Sequence, residues 1–102
     1  MSKEALLWWS RIKSAGVHGF NANDYRVMDV LCYQHWGDKT HAMCFTVSEL
    51  ARLCDMDRKS LNRSLAHLMD LGWVRREDFP YGYKRYYSLP KFEEQKRLTP
   101  TT

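Results

Sequence analysis

The sequence has little cysteine and no long apolar run. These two absences argue against a zinc finger or redox protein and against a membrane-spanning protein. Its three cysteines, Cys32, Cys44 and Cys54, are odd in number, and no pair has the spacing of a zinc finger or a redox motif. We therefore predict reduced, mostly buried thiols in a cytoplasmic protein. No stretch reaches the roughly 18 apolar residues that a membrane-spanning helix needs. The first residues also lack the pattern of an export signal.

The sequence also lacks the motifs of common catalytic and metal sites. It has no phosphate-binding glycine loop, no serine elbow and no evident pair of carboxylates in a pocket. His35, His41 and Cys44 carry metal-binding side chains, but a fourth ligand and the spacing of a zinc finger are missing. We therefore predict that the protein is not an enzyme and holds neither a metal nor a cofactor.

The charge of the chain is concentrated in one segment. Its 102 residues, 44% hydrophobic and 27% charged, are typical of one small folded domain, and the net charge is +4. Residues 58–85 contain seven basic and three acidic side chains, so this segment carries the whole net charge and the rest is neutral. Such clustering favours an anionic partner, and nucleic acid is the first candidate.

The apolar spacing predicts a mostly helical fold with a small β-hairpin. One helix is expected over residues 2–16, a second from a cap at Asn21 or Asn23 to about residue 36, and a short strand over residues 43–45. Adjacent helical residues point about 100° apart. We therefore expect only one of Trp8 and Trp9 to lie deep in the core, and the candidates for a dimer interface are Trp8, Trp9 and Ile12.

Residues 46–71 have the pattern of a helix-turn-helix. Thr46 and Glu49 form a capping box that starts a short helix, and Asp55 follows it in a turn where a left-handed backbone is tolerated. Asp57 caps the next helix, which extends to Leu71. Its apolar residues recur at helical spacing and predict one buried stripe: Leu61, Leu65, Leu68 and Leu71. In this motif the second helix reads DNA.

The exposed side of that second helix is rich in hydrogen-bond donors. Arginine can read guanine with two hydrogen bonds, and asparagine can read adenine in the same way. The amino-terminal end of the helix also favours a phosphate. The predicted DNA-binding residues of the recognition helix are Arg58, Lys59, Ser60, Asn62, Arg63 and His67.

A hairpin over residues 73–89 is expected to form a wing beside the recognition helix. Two strands, over residues 73–77 and 84–89, are joined by a turn rich in proline, glycine and tyrosine. The wing is expected to hold the phosphate backbone or the minor groove through Arg75, Arg76, Tyr81, Lys84 and Arg85. The domain then ends near residue 90, and residues 91–102 are predicted to be a polar tail with a short helical turn.

These motifs resemble a known family. Residues 46–53 (TVSELARL), residues 56–65 (MDRKSLNRSL) and residues 71–76 (LGWVRR) are similar to the winged helix-turn-helix of MarR-type transcriptional regulators. The resemblance covers roughly residues 21–89, and Asp55 stands where that family usually has a turn glycine. It implies a homodimer that binds a palindromic operator with one recognition helix in each half-site.

We therefore expect a sequence-specific double-stranded DNA-binding protein that regulates transcription as a homodimeric repressor. Its small size is typical of regulators from phages or plasmids. Two other interpretations stay open. The polar loop that contains Trp36 and Gly37 also resembles winged helices of phage and plasmid replication proteins, which would make this a replication or partition factor on origin DNA. A winged helix can also bind only protein, and it would then show no salt-sensitive DNA affinity.

Overall fold

The computed structural model describes residues 4–35, 43–78 and 84–98. Within these ranges the chain forms five helices and a three-stranded sheet. The helices are α1 (Glu4–Ala15), α2 (Ala22–Gln34), α3 (Val47–Leu53), α4 (Arg58–Asp70) and α5 (Pro90–Leu98), and the strands are β1 (Cys44–Phe45), β2 (Arg75–Asp78) and β3 (Arg85–Ser88). The expected mostly helical winged fold is confirmed. None of the helices described in these ranges has the length and apolarity to cross a membrane.

The start of α2 is fixed by a reciprocal cap. The side chain of Asn21 accepts a hydrogen bond from the backbone amide of Asp24 at 2.9 Å, and the carboxylate of Asp24 accepts one from the amide of Asn21 at 3.1 Å. Each bond satisfies an amide that the helix itself leaves unpaired. Of the two caps that the sequence offered, Asn21 is therefore the one used.

The helix-turn-helix forms as predicted. The amide of Glu49 donates to the Thr46 hydroxyl, and the Glu49 carboxylate accepts from the Thr46 amide, both at 3.0 Å. Between α3 and α4 the backbone of Asp55 is left-handed, with φ of 55°. Asp57 then caps α4 by accepting from the amide of Ser60 at 3.3 Å. These local bonds fix where each helix of the motif begins.

The wing strands pack onto the helices as part of one antiparallel sheet. The strand order is β1-β3-β2, with Cys44 opposite Tyr86 and Arg76 opposite Tyr87. Tyr87 and Leu89 are fully buried, and Ser88 between them is also buried. The short strand before the helix-turn-helix thus extends the sheet on the side of β3 opposite to β2.

The prediction that Leu71 belongs to the buried leucine stripe is wrong. Leu61, Leu65 and Leu68 are fully buried, but Leu71 is 39% exposed. Leu71 is the residue that follows the last turn of α4, and the chain then changes direction at Gly72, whose φ is 83°. The stripe therefore ends with the helix, one turn earlier than its spacing suggested.

The expectation that only one of Trp8 and Trp9 lies deep in the core is also wrong. They are 9% and 1% exposed. Different elements cover the two rings. The ring centre of Trp8 lies 5.3 Å from that of Phe92 in α5, whereas the ring centre of Trp9 lies 6.0 Å from that of Phe20, just before α2. The adjacent side chains do point in different directions, but α1 is enclosed on both of those sides.

The segment after the wing has more structure than a polar tail. Pro90 starts α5, a position where its missing amide costs nothing. Phe92 is buried against Trp8 and also lies 5.1 Å from His35, ring centre to ring centre. The single aromatic residue of this polar segment therefore anchors a helix of nine residues to the core.

Candidate nucleic-acid interface

The outer side of α4 presents a strip of hydrogen-bond donors. Arg58, Lys59, Asn62 and Arg63 are exposed, while Ser60 is half-buried. Residues four apart lie above one another on a helix, so these four exposed side chains form two neighbouring rows. The first turn of α4 contains no acidic residue. The strip therefore offers charged and amide donors over about two helical turns, which suits base edges and phosphates.

Arg58 connects the two helices of the motif. Its Nη2 donates a hydrogen bond to the Ser48 hydroxyl at 2.7 Å, so the side chain leans from α4 toward α3. A guanidinium has five N–H donors, and one bond leaves the others for a phosphate or a base. Ser48 was not among the predicted site residues, because nothing local distinguishes it from other serines at the start of a helix.

The stability that Asp57 contributes by capping α4 depends on pH. Hydrogen bonds from the side chain and the amide of Ser60 hold the pKa of Asp57 below its ordinary value of 3.8. A carboxyl whose pKa is lowered by folding stabilises the folded state above its unfolded pKa. That contribution is lost as the pH falls through the lowered pKa of the folded state. It is therefore fully present at neutral pH.

Replacing Asp57 with alanine should lower the melting temperature at pH 7, because the α4 amides lose their acceptor. Asp57→Asn should keep most of the stability, since asparagine caps about as well. Thermal melts followed by circular dichroism at pH 7 and near pH 3 test this. The deficit of the alanine variant should shrink at the lower pH. Equal melting temperatures for all three proteins at pH 7 would contradict the role of the cap.

Arg26 adds a positive group that the sequence did not point to. It lies on α2, and its Nη1 is 3.5 Å from the backbone carbonyl of Asp55 and 4.0 Å from the Asp55 carboxylate. The contact spans 29 residues of the chain, so no local pattern could reveal it. It brings a guanidinium to the turn between α3 and α4.

The base of the wing carries the other predicted cations. Arg75 and Lys84 are exposed, and each lies near a carboxylate: Arg75 Nη2 is 3.5 Å from Glu77 Oε1, and Lys84 Nζ is 3.9 Å from Glu49 Oε1. Exposed pairs of this kind are weak and can exchange for a phosphate. Arg76 and Arg85 are half-buried. Tyr81 lies outside the described residues.

His67 differs from the other predicted residues of α4 in that its ring binds a buried carboxylate. Its side chain is 37% exposed, and its Nδ1 lies 2.7 Å from Oδ2 of Asp24, which is fully buried at the start of α2. At least one edge of the ring therefore faces the protein. Its distance from Asp24 along the chain, 43 residues, explains why helical spacing alone placed it with the exposed donors.

The thiols are poorly suited to chemistry. Cys32 and Cys54 are buried, and burial raises the pKa of Cys54 to about 11 and that of Cys32 still further. The described ranges contain no group of three or more side chains that could hold a metal ion. His41, one of the three side chains considered from the sequence, lies outside those ranges.

Comparison with known proteins finds similarity to the MarR family by sequence and by structure. The model of the MarR family matches residues 18–82. The crystal structure of transcriptional regulator PA4135 is similar at 25% identity with a TM-score of 0.57, covering 94% of this chain and 65% of that one. A mutant of MarR from E. coli matches at 22% identity with a TM-score of 0.50, covering 94% and 67%. The chain thus spans about two-thirds of their length. A search of curated proteins found no match.

Proposed function

Because this chain belongs to the MarR family, we propose that it is a transcriptional regulator that binds double-stranded DNA in a sequence-specific manner. The observation that carries the proposal is the exposed strip of Arg58, Lys59, Asn62 and Arg63 on the second helix of a helix-turn-helix. A helix fits the major groove, and these are the side-chain types that read base edges there.

We divide the site into a reading helix and an anchoring wing. The strip on α4 contacts base edges and nearby phosphates, while Arg75, Arg76, Lys84 and Arg85 hold the phosphate backbone or the minor groove. Ser60 contributes through the cap of α4 or a phosphate contact, and Tyr81 belongs to the wing part of the proposal. Arg26 and Ser48 join the site because they touch the turn and Arg58.

The proposal includes a homodimer that represses transcription from a palindromic operator. Two half-sites need two recognition helices, and MarR from E. coli and PA4135 supply the fold for comparison. Trp8 and Trp9 are committed to the core of their own chain, but Ile12 is half-buried and Leu7 is 60% exposed. We therefore place the second copy on the exposed side of α1. A phage or plasmid origin and a cytoplasmic location belong to the same proposal.

The test is fluorescence anisotropy with the duplex that lies upstream of its own gene, against a shuffled duplex of equal length, at two salt concentrations. We expect tighter binding to the native duplex, and a steep fall with salt as counterions are released. Equal, weak binding to both duplexes would mean that the operator does not lie upstream of its own gene, and would favour another promoter or an origin. No binding at low salt would overturn the DNA-binding function and favour a protein-binding winged helix.

A further inference from the structure

A carboxylate lies buried directly against the recognition helix. Asp24 is fully buried, and its Oδ2 accepts the Asn21 amide at 3.1 Å and lies 2.7 Å from His67 Nδ1 on α4. Its Oδ1 is buried and makes no hydrogen bond in the part of the chain that the structure describes. The imidazole is therefore the only side chain described as binding this carboxylate.

A buried carboxylate with so few partners constrains the helix that supplies one of them. Burying a polar group without a partner is costly, so the fold favours arrangements that keep His67 within reach of Asp24. Rotating α4 by one residue would carry the ring about 100° around the helix axis and leave Oδ2 with only the Asn21 amide. The pair thus penalises other rotational settings of α4.

The leucine contacts of α4 supply only part of this constraint. Leu61, Leu65 and Leu68 are fully buried, so their stripe excludes large rotations that would expose them, but burial of apolar surface is non-directional and tolerates small ones. A hydrogen bond weakens steeply when its angle changes. The contact between α2 and α4 therefore combines an apolar stripe, which selects the buried side of α4, with a directional bond, which fixes the rotation more narrowly.

The directional bond lies one helical turn from the proposed DNA contacts. Arg63 is four residues before His67, so the two lie on neighbouring turns of the same side of α4. A continuous helix transmits its rotational setting along its length, here 13 residues. A change at His67 therefore changes the direction in which Arg63 and Asn62 point.

We propose that His67 serves the DNA site as a positioning residue: its bond to the buried Asp24 carboxylate sets the rotation of the recognition helix on α2. The proposal rests on the DNA-binding function proposed above. It replaces the simpler view of His67 as a residue that contacts DNA.

Three substitutions at His67 separate positioning from contact. The amide nitrogen of asparagine can occupy the place of Nδ1, and that of glutamine the place of Nε2. We expect His67→Ala and His67→Gln to weaken operator binding about tenfold, and His67→Asn to keep most of the affinity. The reverse order, with glutamine better than asparagine, would mean that the outer edge of the ring contacts DNA and would overturn the proposal.

The salt dependence gives a second readout that a loss of stability would not change. A positioning residue neutralises no phosphate, so the slope of log K against log salt should be the same for His67→Ala and the wild type. Loss of a phosphate contact would reduce the slope by about 0.9, and that result would also overturn the proposal. Arg85→Ala provides the matched variant in which we expect the slope to fall.

A double-mutant cycle with Asp24→Asn tests whether His67 acts through Asp24. We expect the losses of the single variants not to add, in DNA binding and in urea unfolding alike. Additive losses in unfolding would overturn the proposal even if no DNA is bound. Absence of DNA binding by the wild type would instead overturn the proposed function. If Asp24→Asn fails to fold, the comparison of asparagine with glutamine at position 67 decides alone.

Discussion

Replacing Trp9 with alanine is expected to lower the free energy of unfolding by about 3–5 kcal/mol. The side chain is 1% exposed, and its indole N–H donates to Asp29 on α2. Its ring centre lies 6.0–6.5 Å from those of four other aromatic residues, namely Trp8, Phe20, Tyr25 and Trp73. Truncation removes these contacts and leaves a cavity. Small domains are stable by only about 5–15 kcal/mol, so the loss is a large fraction of the total.

Urea unfolding followed by circular dichroism measures this loss without relying on tryptophan emission. Tyr33→Ala is the matched control, because Tyr33 is also aromatic but is 57% exposed on α2. It should change the free energy by less than about 0.5 kcal/mol. Trp9→Phe should fall between the two, since it keeps a ring but loses the bond to Asp29. Similar midpoints for Trp9→Ala and Tyr33→Ala would refute the packing of α1 described above.

Replacing Arg63 with alanine is expected to cost about 1–3 kcal/mol of binding free energy on the operator and to relax specificity at one base pair. Arg63 is exposed near the middle of α4, and arginine makes two hydrogen bonds to guanine in the major groove. Losing them removes the discrimination against other bases. Non-operator duplexes should therefore be affected much less than the operator.

Anisotropy titrations with the operator and with single-base-pair variants test this. Lys91→Ala is the control for charge, because Lys91 is exposed on α5 and its substitution changes the net charge equally. Arg85→Ala should weaken binding to all sequences about equally and reduce the salt slope by about one. If Arg63→Ala weakens every duplex by the same factor, Arg63 anchors the backbone and does not read bases.

The parts of the fold that were predictable are those with local causes. The capping box of Thr46 and Glu49 joins residues three apart, and the left-handed turn at Asp55 depends on one residue. The part of the leucine stripe that lies within α4 is likewise set by one element. A single sequence reveals such features because the atoms that interact are close along the chain.

The parts that were not predictable join residues far apart along the chain. The burial of both tryptophans needs α1, the Phe20 region and α5 together, and α5 itself depends on Phe92 meeting Trp8. Helical spacing alone predicts His67 as an exposed donor, and its contact with Asp24 of α2 is visible only in the structure. The donors at the start of α4 were found from spacing alone, but the hydrogen bond from Arg58 to Ser48 was not.

The burial of Cys32 and Cys54 makes the reactivity of their thiols a measure of local opening of the fold. Cys32 lies in α2, and Cys54 ends α3 beside the turn that leads to the recognition helix. Because the thiolate is the reactive form and burial raises both pKa values, each thiol reacts mainly when its surroundings open. The rate at which a thiol reagent labels Cys54, compared with the rate at Cys32, therefore reports how often the helix-turn-helix opens relative to α2. A bound duplex that holds α3 and α4 together would slow the labelling of Cys54 more than that of Cys32.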